Sequence, residues 1–158
     1  MREKTLENSG MEYSEFVDLN CLGAVVTKGV ANVPWEGNPT PRVQETYGGM
    51  LNAIGLQNPG LAVFKERDLK FLADYDTKII VNVCGRSKED YIDAVEQLAD
   101  TNADLLEINI SCPNVKSGGM AFGIKPETVY EVTKVAKKAL KKTPLIVKLS
   151  PNVESIAA

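Results

Sequence analysis

The feature that most constrains this chain is an alternation of short β-branched runs with amphipathic stretches, each run closing on a polar side chain. The runs are Leu22-Gly23-Ala24-Val25-Val26-Thr27, Lys78 to Val83, Leu105 to Ile110 and Leu145 to Leu149. Their β-branched content predicts buried strands of a parallel sheet. Between them, Ser87-Lys88-Glu89-Asp90 reads as a helix start, with Ser87 as N-cap and acidic residues in the first turn. Tyr91, Ala94, Val95, Leu98 and Ala99 then fall on one helical face. A second helix from about Pro126 aligns Val129, Val132, Val135, Ala136 and Leu140, and a third is expected around Leu61 to Tyr75. Strands alternating with such helices imply right-handed βαβ units.

The polar residues at the strand ends are Lys28, Asn82, Asn109 and Lys148. In a (β/α)8 barrel, catalytic and ligand-binding groups sit at the C-terminal ends of the strands, so these four positions read as a site. A doubly wound open sheet shares the alternation, but it more often carries a glycine-rich phosphate turn after its first strand, and none follows here. A complete barrel takes about 250 residues, whereas this chain has 158 and four strong strands. The expected fold is α/β: a single incomplete TIM-barrel domain over 1–158 with about four central βα units, lacking the first strand and the C-terminal half. Residues 1–9 form an atypical N-terminal segment. Residues 32–60 carry Pro34, Gly37, Pro39, Pro41, Gly48, Gly49, Gly55, Pro59 and Gly60, a density of breakers that argues against regular helix. The embedded Met50-Leu51-Asn52-Ala53-Ile54-Gly55-Leu56 is too apolar for a solvated linker, so the segment is expected to be an ordered loop packed over the site.

Composition narrows the chemistry. The chain contains no histidine, which removes the commonest general base and the commonest metal ligand. Its cysteines, Cys21, Cys84 and Cys112, are odd in number and widely spaced, the pattern of reduced thiols rather than of a disulfide framework or a zinc site. With 18 basic and 21 acidic residues and a net charge of −3, nothing favours nucleic acid as a partner. No apolar run approaches the roughly 18 residues of a membrane helix, and the charged start from Met1 to Asn8 lacks a secretory core. A cytoplasmic protein without a membrane partner is expected.

Cys112 lies in Ser111-Cys112-Pro113-Asn114, directly after the strand ending at Asn109, with Gly118-Gly119 in the same loop. A thiol at a strand terminus on a glycine-bearing loop is placed to act as a base or nucleophile. Lys28, Lys148 or backbone donors would generate its thiolate; the plainer reading is a small loop residue. Lys148 interrupts an apolar run and needs an anion, either Glu107 as a structural partner or a negative charge on a ligand. Asn82 and Asn109 could equally be barrel-floor residues satisfied by neighbouring strands, although two amides at equivalent strand ends suit a planar polar ligand better than they suit packing.

Four motifs in order resemble the dihydroorotate dehydrogenase family, most closely its class 1B catalytic subunits: Gly37 to Val43, Met50 to Gly60, Asn109 to Val115 and Ile146 to Pro151. The resemblance covers roughly Gly10 to the C-terminus. It implies an FMN-containing (β/α)8 barrel that oxidises dihydroorotate to orotate in pyrimidine biosynthesis. By resemblance, Cys112 is the base that takes the proton from C5 while hydride leaves C6 for the flavin. Lys28, Asn52, Asn109 and Asn114 correspond to substrate-binding positions, with Ile54, Gly55 and Leu56 seating the substrate through their backbone. Lys28, Asn82, Asn109 and Lys148 correspond to flavin contacts, Lys148 stabilising the charge of reduced flavin. The resemblance also implies a homodimer and a partner subunit carrying FAD and a [2Fe-2S] cluster that passes electrons to NAD. Three departures stand out: Met1 to Ser9 does not resemble the family's first strand, nothing after about Val153 represents its second half, and Tyr47-Gly48 replaces the usual Pro-Ser. The alternative to an enzyme is a non-catalytic barrel fragment or assembly module without a complete FMN site.

Overall fold

A computed structural model of the chain describes residues 10–112, 120–140 and 142–151. Asn114 and the Gly118-Gly119 pair lie outside the described residues, as do the N-terminal segment 1–9 and the residues from Asn152 onward.

The chain enters through a single helical turn, α1 (Met11–Ser14), and a 3-10 turn (Leu19–Cys21), then forms β1 (Ala24–Val26). A hairpin of β2 (Val43–Thr46) and β3 (Gly49–Asn52) follows. Next comes α2 (Gly60–Phe64), continued by a π-helical turn (Lys65–Leu69) into α3 (Lys70–Leu72). Alternation then sets in: β4 (Lys78–Val83), α4 (Lys88–Leu98), β5 (Leu105–Asn109), α5 (Met120–Gly123), α6 (Pro126–Ala139) and β6 (Leu145–Lys148).

All four strands anticipated from their β-branched runs are present, and they form one parallel sheet in the order β1-β4-β5-β6. Each strand therefore pairs with the next after a helical crossover, as successive βαβ units require. The register aligns Val26 with Ile80, Ile80 with Leu105, Asn82 with Glu107, Glu107 with Ile146, and Asn109 with Lys148.

Register separates the sheet into two unlike faces. Val25, Ile79, Val81, Val83, Leu106 and Ile108 are buried and belong to one core cluster with Leu61, Phe64 and Leu72 of the first helical stretch, Tyr91, Val95 and Leu98 of α4, and Val132 and Ala136 of α6. Burying each such side chain contributes about 1.5–3 kcal/mol. The opposite face carries Val26, Ile80, Asn82, Leu105, Glu107, Asn109, Ile146 and Lys148, and Val26 remains 51% exposed there. A doubly wound sheet would carry helices on both faces; here, among the described residues, the apolar core lies on one.

The start of α4 follows local chemistry. Ser87 accepts from the Asp90 amide at 3.1 Å while Asp90 accepts from the Ser87 amide at 3.2 Å, a reciprocal capping box. Pro126 opens α6, where its missing N–H is not needed.

Three local features differ from the sequence expectation. The segment 32–60 is ordered, but it contains the β2–β3 hairpin, all of whose residues are exposed. The helix expected over Leu61 to Tyr75 contains a π turn and ends at Leu72. The loop from Ser111 to Gly123 contains the short helix α5.

Candidate active site

The C-terminal ends of the four parallel strands converge on a set of polar side chains, beginning with an irregularity in β1. The Thr27 amide bonds the Ile80 carbonyl at 2.9 Å, and regular parallel pairing would bring Gly29 onto Asn82. Instead Val30 donates to the Asn82 carbonyl at 2.9 Å, so one extra residue bulges out at Lys28-Gly29. A bulge of this kind re-aims a side chain, and the residue it displaces is the half-buried Lys28. Gly29 makes the close approach possible, because a Cβ there would stand 2.9 Å from Asn82 Oδ1. Leu56 Cδ2 and Cys84 Sγ flank the same point at 3.5 and 3.6 Å, which brings the long loop down to the strand ends.

That loop is tied in place by Asn58. Its Oδ1 accepts from the Ala31 amide at 3.1 Å and the Gly60 amide at 3.0 Å, and its Nδ2 donates to the Leu56 carbonyl at 2.8 Å. Leu56 holds a positive φ of 55°, a strained conformation for a residue with a side chain and one found at functional sites, beside Gly55 at 79°, which glycine adopts freely. Ile54 accepts from the Asn38 amide at 2.9 Å through its carbonyl. Asn52 ends the exposed hairpin, and among the described residues no side-chain hydrogen bond joins it to the strand-end cluster.

The central feature is a directed chain of hydrogen bonds. Ser111 donates to Asn109 Oδ1 through its amide at 3.3 Å and its hydroxyl at 3.1 Å. Asn109 Nδ2 donates to Asn82 Oδ1 at 3.1 Å, and Asn82 Nδ2 donates to the Glu107 carboxylate. Both amide carbonyls are thus engaged by protein donors. Among the described residues, each amide keeps one N–H without a protein acceptor, although Asn82 and Asn109 are only 4% and 5% exposed. Buried donors of this kind carry a desolvation cost that an acceptor-bearing ligand would relieve. The backbone is anchored from behind, where Tyr91 donates its hydroxyl to the Asn109 carbonyl at 2.9 Å.

Glu107 was the structural partner considered for Lys148, but the structure gives its carboxylate to Asn82. Lys148 is exposed beside Asn109 in register, and no ion pair involves it among the described residues. Cys112 is half-buried and directly follows Ser111, the first donor of the chain of hydrogen bonds. Its charge is felt at Cys84, which lies in a small apolar cluster with Ala31, Trp35 and Leu56. Burial pushes the Cys84 thiol up to about 12, the Cys112 charge adds to the rise, and Lys28 and Arg86 oppose it. Lys28 and Cys112 therefore share one electrostatic neighbourhood at this end of the sheet. Arg86 also stacks over Trp35, 4.3 Å from the ring centroid.

A run of parallel strands ending in two lysines, two amides and a cysteine can be compared with known proteins. The family model for dihydroorotate dehydrogenase matches residues 5–158. The chain belongs to the dihydroorotate dehydrogenase family. The match begins nearer the N-terminus than the motif resemblance from Gly10. Among curated relatives, "Dihydroorotate dehydrogenase B (NAD(+)), catalytic subunit" of Alkaliphilus metalliredigens is 64% identical over 148 residues, covering 94% of this chain and 49% of that protein. The protein of the same name from Lachnoclostridium phytofermentans is 63% identical with the same coverage. That from Listeria welshimeri is 51% identical over 150 residues, again 94% of this chain and 49% of the relative. The chain spans about half the length of the curated relatives it matches.

For a member of the dihydroorotate dehydrogenase family, two participants here carried little signal in the sequence. Thr27, buried at the end of β1, accepts from the Asn82 amide at 3.2 Å and donates to the Lys28 carbonyl at 3.1 Å, bracing the bulge. Glu107 reaches Asn82 because strand order and register set the two side by side on one face, relations that no local pattern carries.

Proposed function

We propose that this chain carries the dihydroorotate- and flavin-binding half of an FMN-dependent dihydroorotate dehydrogenase with a (β/α)8 barrel fold, which oxidises dihydroorotate to orotate in pyrimidine biosynthesis in the cytoplasm. The observation that carries the reading is the donor-only character of the strand ends. With both amide carbonyls of Asn82 and Asn109 consumed inside the protein, the site offers N–H groups and the ammonium groups of Lys28 and Lys148. The pyrimidine edge of an isoalloxazine presents carbonyl and imine acceptors beside one N–H, and orotate presents a carboxylate and ring carbonyls beside two, so the donors here match the acceptors of both molecules.

In this reading Lys28, Asn82, Asn109 and Lys148 hold the flavin, which when bound supplies the hydride acceptor. Lys28, Asn52, Asn109 and Asn114 hold the substrate's carboxylate and amides, with the backbone of Ile54, Gly55 and Leu56 closing over it. The Cys112 thiolate takes the proton from C5 of dihydroorotate, becoming a neutral thiol. Cys112 suits that task because the chain has no histidine to compete for it and because Lys28 lies in the same neighbourhood. Lys148 stabilises negative charge that develops on the ligand opposite Asn109. We further propose a homodimer joined to an iron-sulfur flavoprotein subunit, with FAD and a [2Fe-2S] cluster passing electrons to NAD; the relatives' name, a catalytic subunit of an NAD(+) enzyme, supports this.

The test is the visible absorption spectrum of the purified chain after incubation with FMN and desalting, with and without orotate. A retained flavin band that orotate perturbs is expected. Loss of all flavin on desalting would overturn the reading for this chain in favour of a non-catalytic module.

A further inference from the structure

Among the described residues, Glu107 is the one acidic side chain on the open face of the four strands, beside Asn82 and Ile146 in register, and nothing in the proposed chemistry uses it. It occupies one terminus of the hydrogen-bond relay as an acceptor, and the Ser111 amide, which can only donate, holds the other. A carboxylate can only accept, so Asn82 must turn its NH2 toward Glu107 and its carbonyl toward Asn109. Asn109 must then turn its NH2 toward Asn82 and its carbonyl toward Ser111, whose amide and hydroxyl both donate to it. A neutral group able to donate in place of Glu107 could set a donor against the Asn82 NH2, and the relay would then be held in direction from the Ser111 end alone.

We propose that Glu107 is a positioning residue: by holding the Asn82 end of the relay whose other end the Ser111 amide holds, it keeps the strand ends a donor array selective for ligands with hydrogen-bond acceptors. Its effect reaches the ligand through Asn82 and Asn109, and it touches neither ligand nor Cys112 itself. The proposal rests on the flavin reading above and deepens it.

Glu107→Gln, which keeps the side chain's shape but can donate as well as accept, is the discriminating variant. Two measurements on the full chain separate the relay from the flavin reading. In 1H–15N spectra without ligand, Glu107→Gln is expected to shift the side-chain NH2 resonances of both Asn82 and Asn109, the second being a group Glu107 does not contact. An unmoved Asn109 NH2 would overturn the relay whether or not flavin binds. In FMN titrations, Glu107→Gln is expected to weaken binding about tenfold while the thermal midpoint stays within a degree or two of the parent's, and Glu107→Asp, which keeps the acceptor-only charge, to recover much of that loss. Affinity that instead follows the thermal midpoint across the parent, Asp and Gln proteins would assign Glu107 a merely structural role and overturn the proposal. Absence of FMN binding in the parent itself would count against the flavin reading alone, leaving the relay to the resonance shifts, which a Glu107→Gln protein that fails to fold would leave to Glu107→Asp.

Discussion

The two faces of the parallel sheet share the same strands and differ in almost everything else. One face buries Val25, Ile79, Val81, Val83, Leu106 and Ile108 against three helical stretches. The other presents Asn82, Glu107, Asn109 and Lys148, ringed by Val26 and Ile80. Side chains alternate across a strand, so every second residue could be spent on stability and its neighbours kept for chemistry. At the strand ends both amide carbonyls take protein donors, and the strand side chains on the covered face are apolar.

Four substitutions or modifications sharpen this division. The largest effect is expected at Cys112 on the open side: in flavin-loaded protein, Cys112→Ala should lower the rate of flavin reduction by dihydroorotate about 10²–10⁴-fold, the usual contribution of a positioned base, with FMN affinity unchanged. Stopped-flow absorbance reads this directly, and an unchanged rate would move the base elsewhere.

The two neighbouring thiols should differ almost as much. A thiol raised to about 12 is ionised to only about one part in ten thousand at pH 8, so Cys84 should alkylate on the order of a thousandfold more slowly than an ordinary exposed cysteine until the chain unfolds. Mass spectrometry of chain treated with iodoacetamide should find Cys21 and Cys112 modified first, and early labelling of Cys84 would show that the Trp35 cluster opens readily.

On the covered face, Leu106→Ala removes a fully buried side chain and is expected to cost about 2–5 kcal/mol in urea unfolding. A cost under about 1 kcal/mol would mean that this face is loosely packed. Lys148→Ala on the open face should leave stability within about 0.5 kcal/mol, as befits an exposed side chain with no ion pair among the described residues, while weakening flavin retention roughly tenfold, the loss of about 1.4 kcal/mol. A large loss of stability instead would make Lys148 part of the scaffold and blur the distinction between the faces.

Much of the fold was legible because its signals are local. The β-branched run from Lys78 to Val83 became a strand with those bounds, and the Ser87 capping box opened α4 where its sequence indicated. The β2–β3 hairpin was hidden because its exposed strands lack the apolar alternation of a half-buried sheet, and its Tyr47-Gly48 turn lies in a segment dense with breakers. The π turn at Lys65–Leu69 adds one residue to the helix, and the buried apolar side chains Phe64 and Leu69 stand five apart across it instead of three or four.

The candidate site divides in the same way. Which residue types end the strands was written in the sequence, since a lysine or asparagine closing an apolar run stands out against its neighbours. The sequence by itself also determined the chemistry available: no histidine, three separate thiols, and polar groups spaced by whole βα units. Only the tertiary structure decided that Glu107 serves Asn82 rather than Lys148, that an extra residue at Lys28-Gly29 turns the lysine out of the ladder, and that both amide carbonyls are consumed internally. The physical reason is that hydrogen-bond direction depends on which strands are neighbours and in what register. Those relations join residues more than 20 positions apart, such as Asn82 and Asn109 at a separation of 27, and no local pattern encodes them.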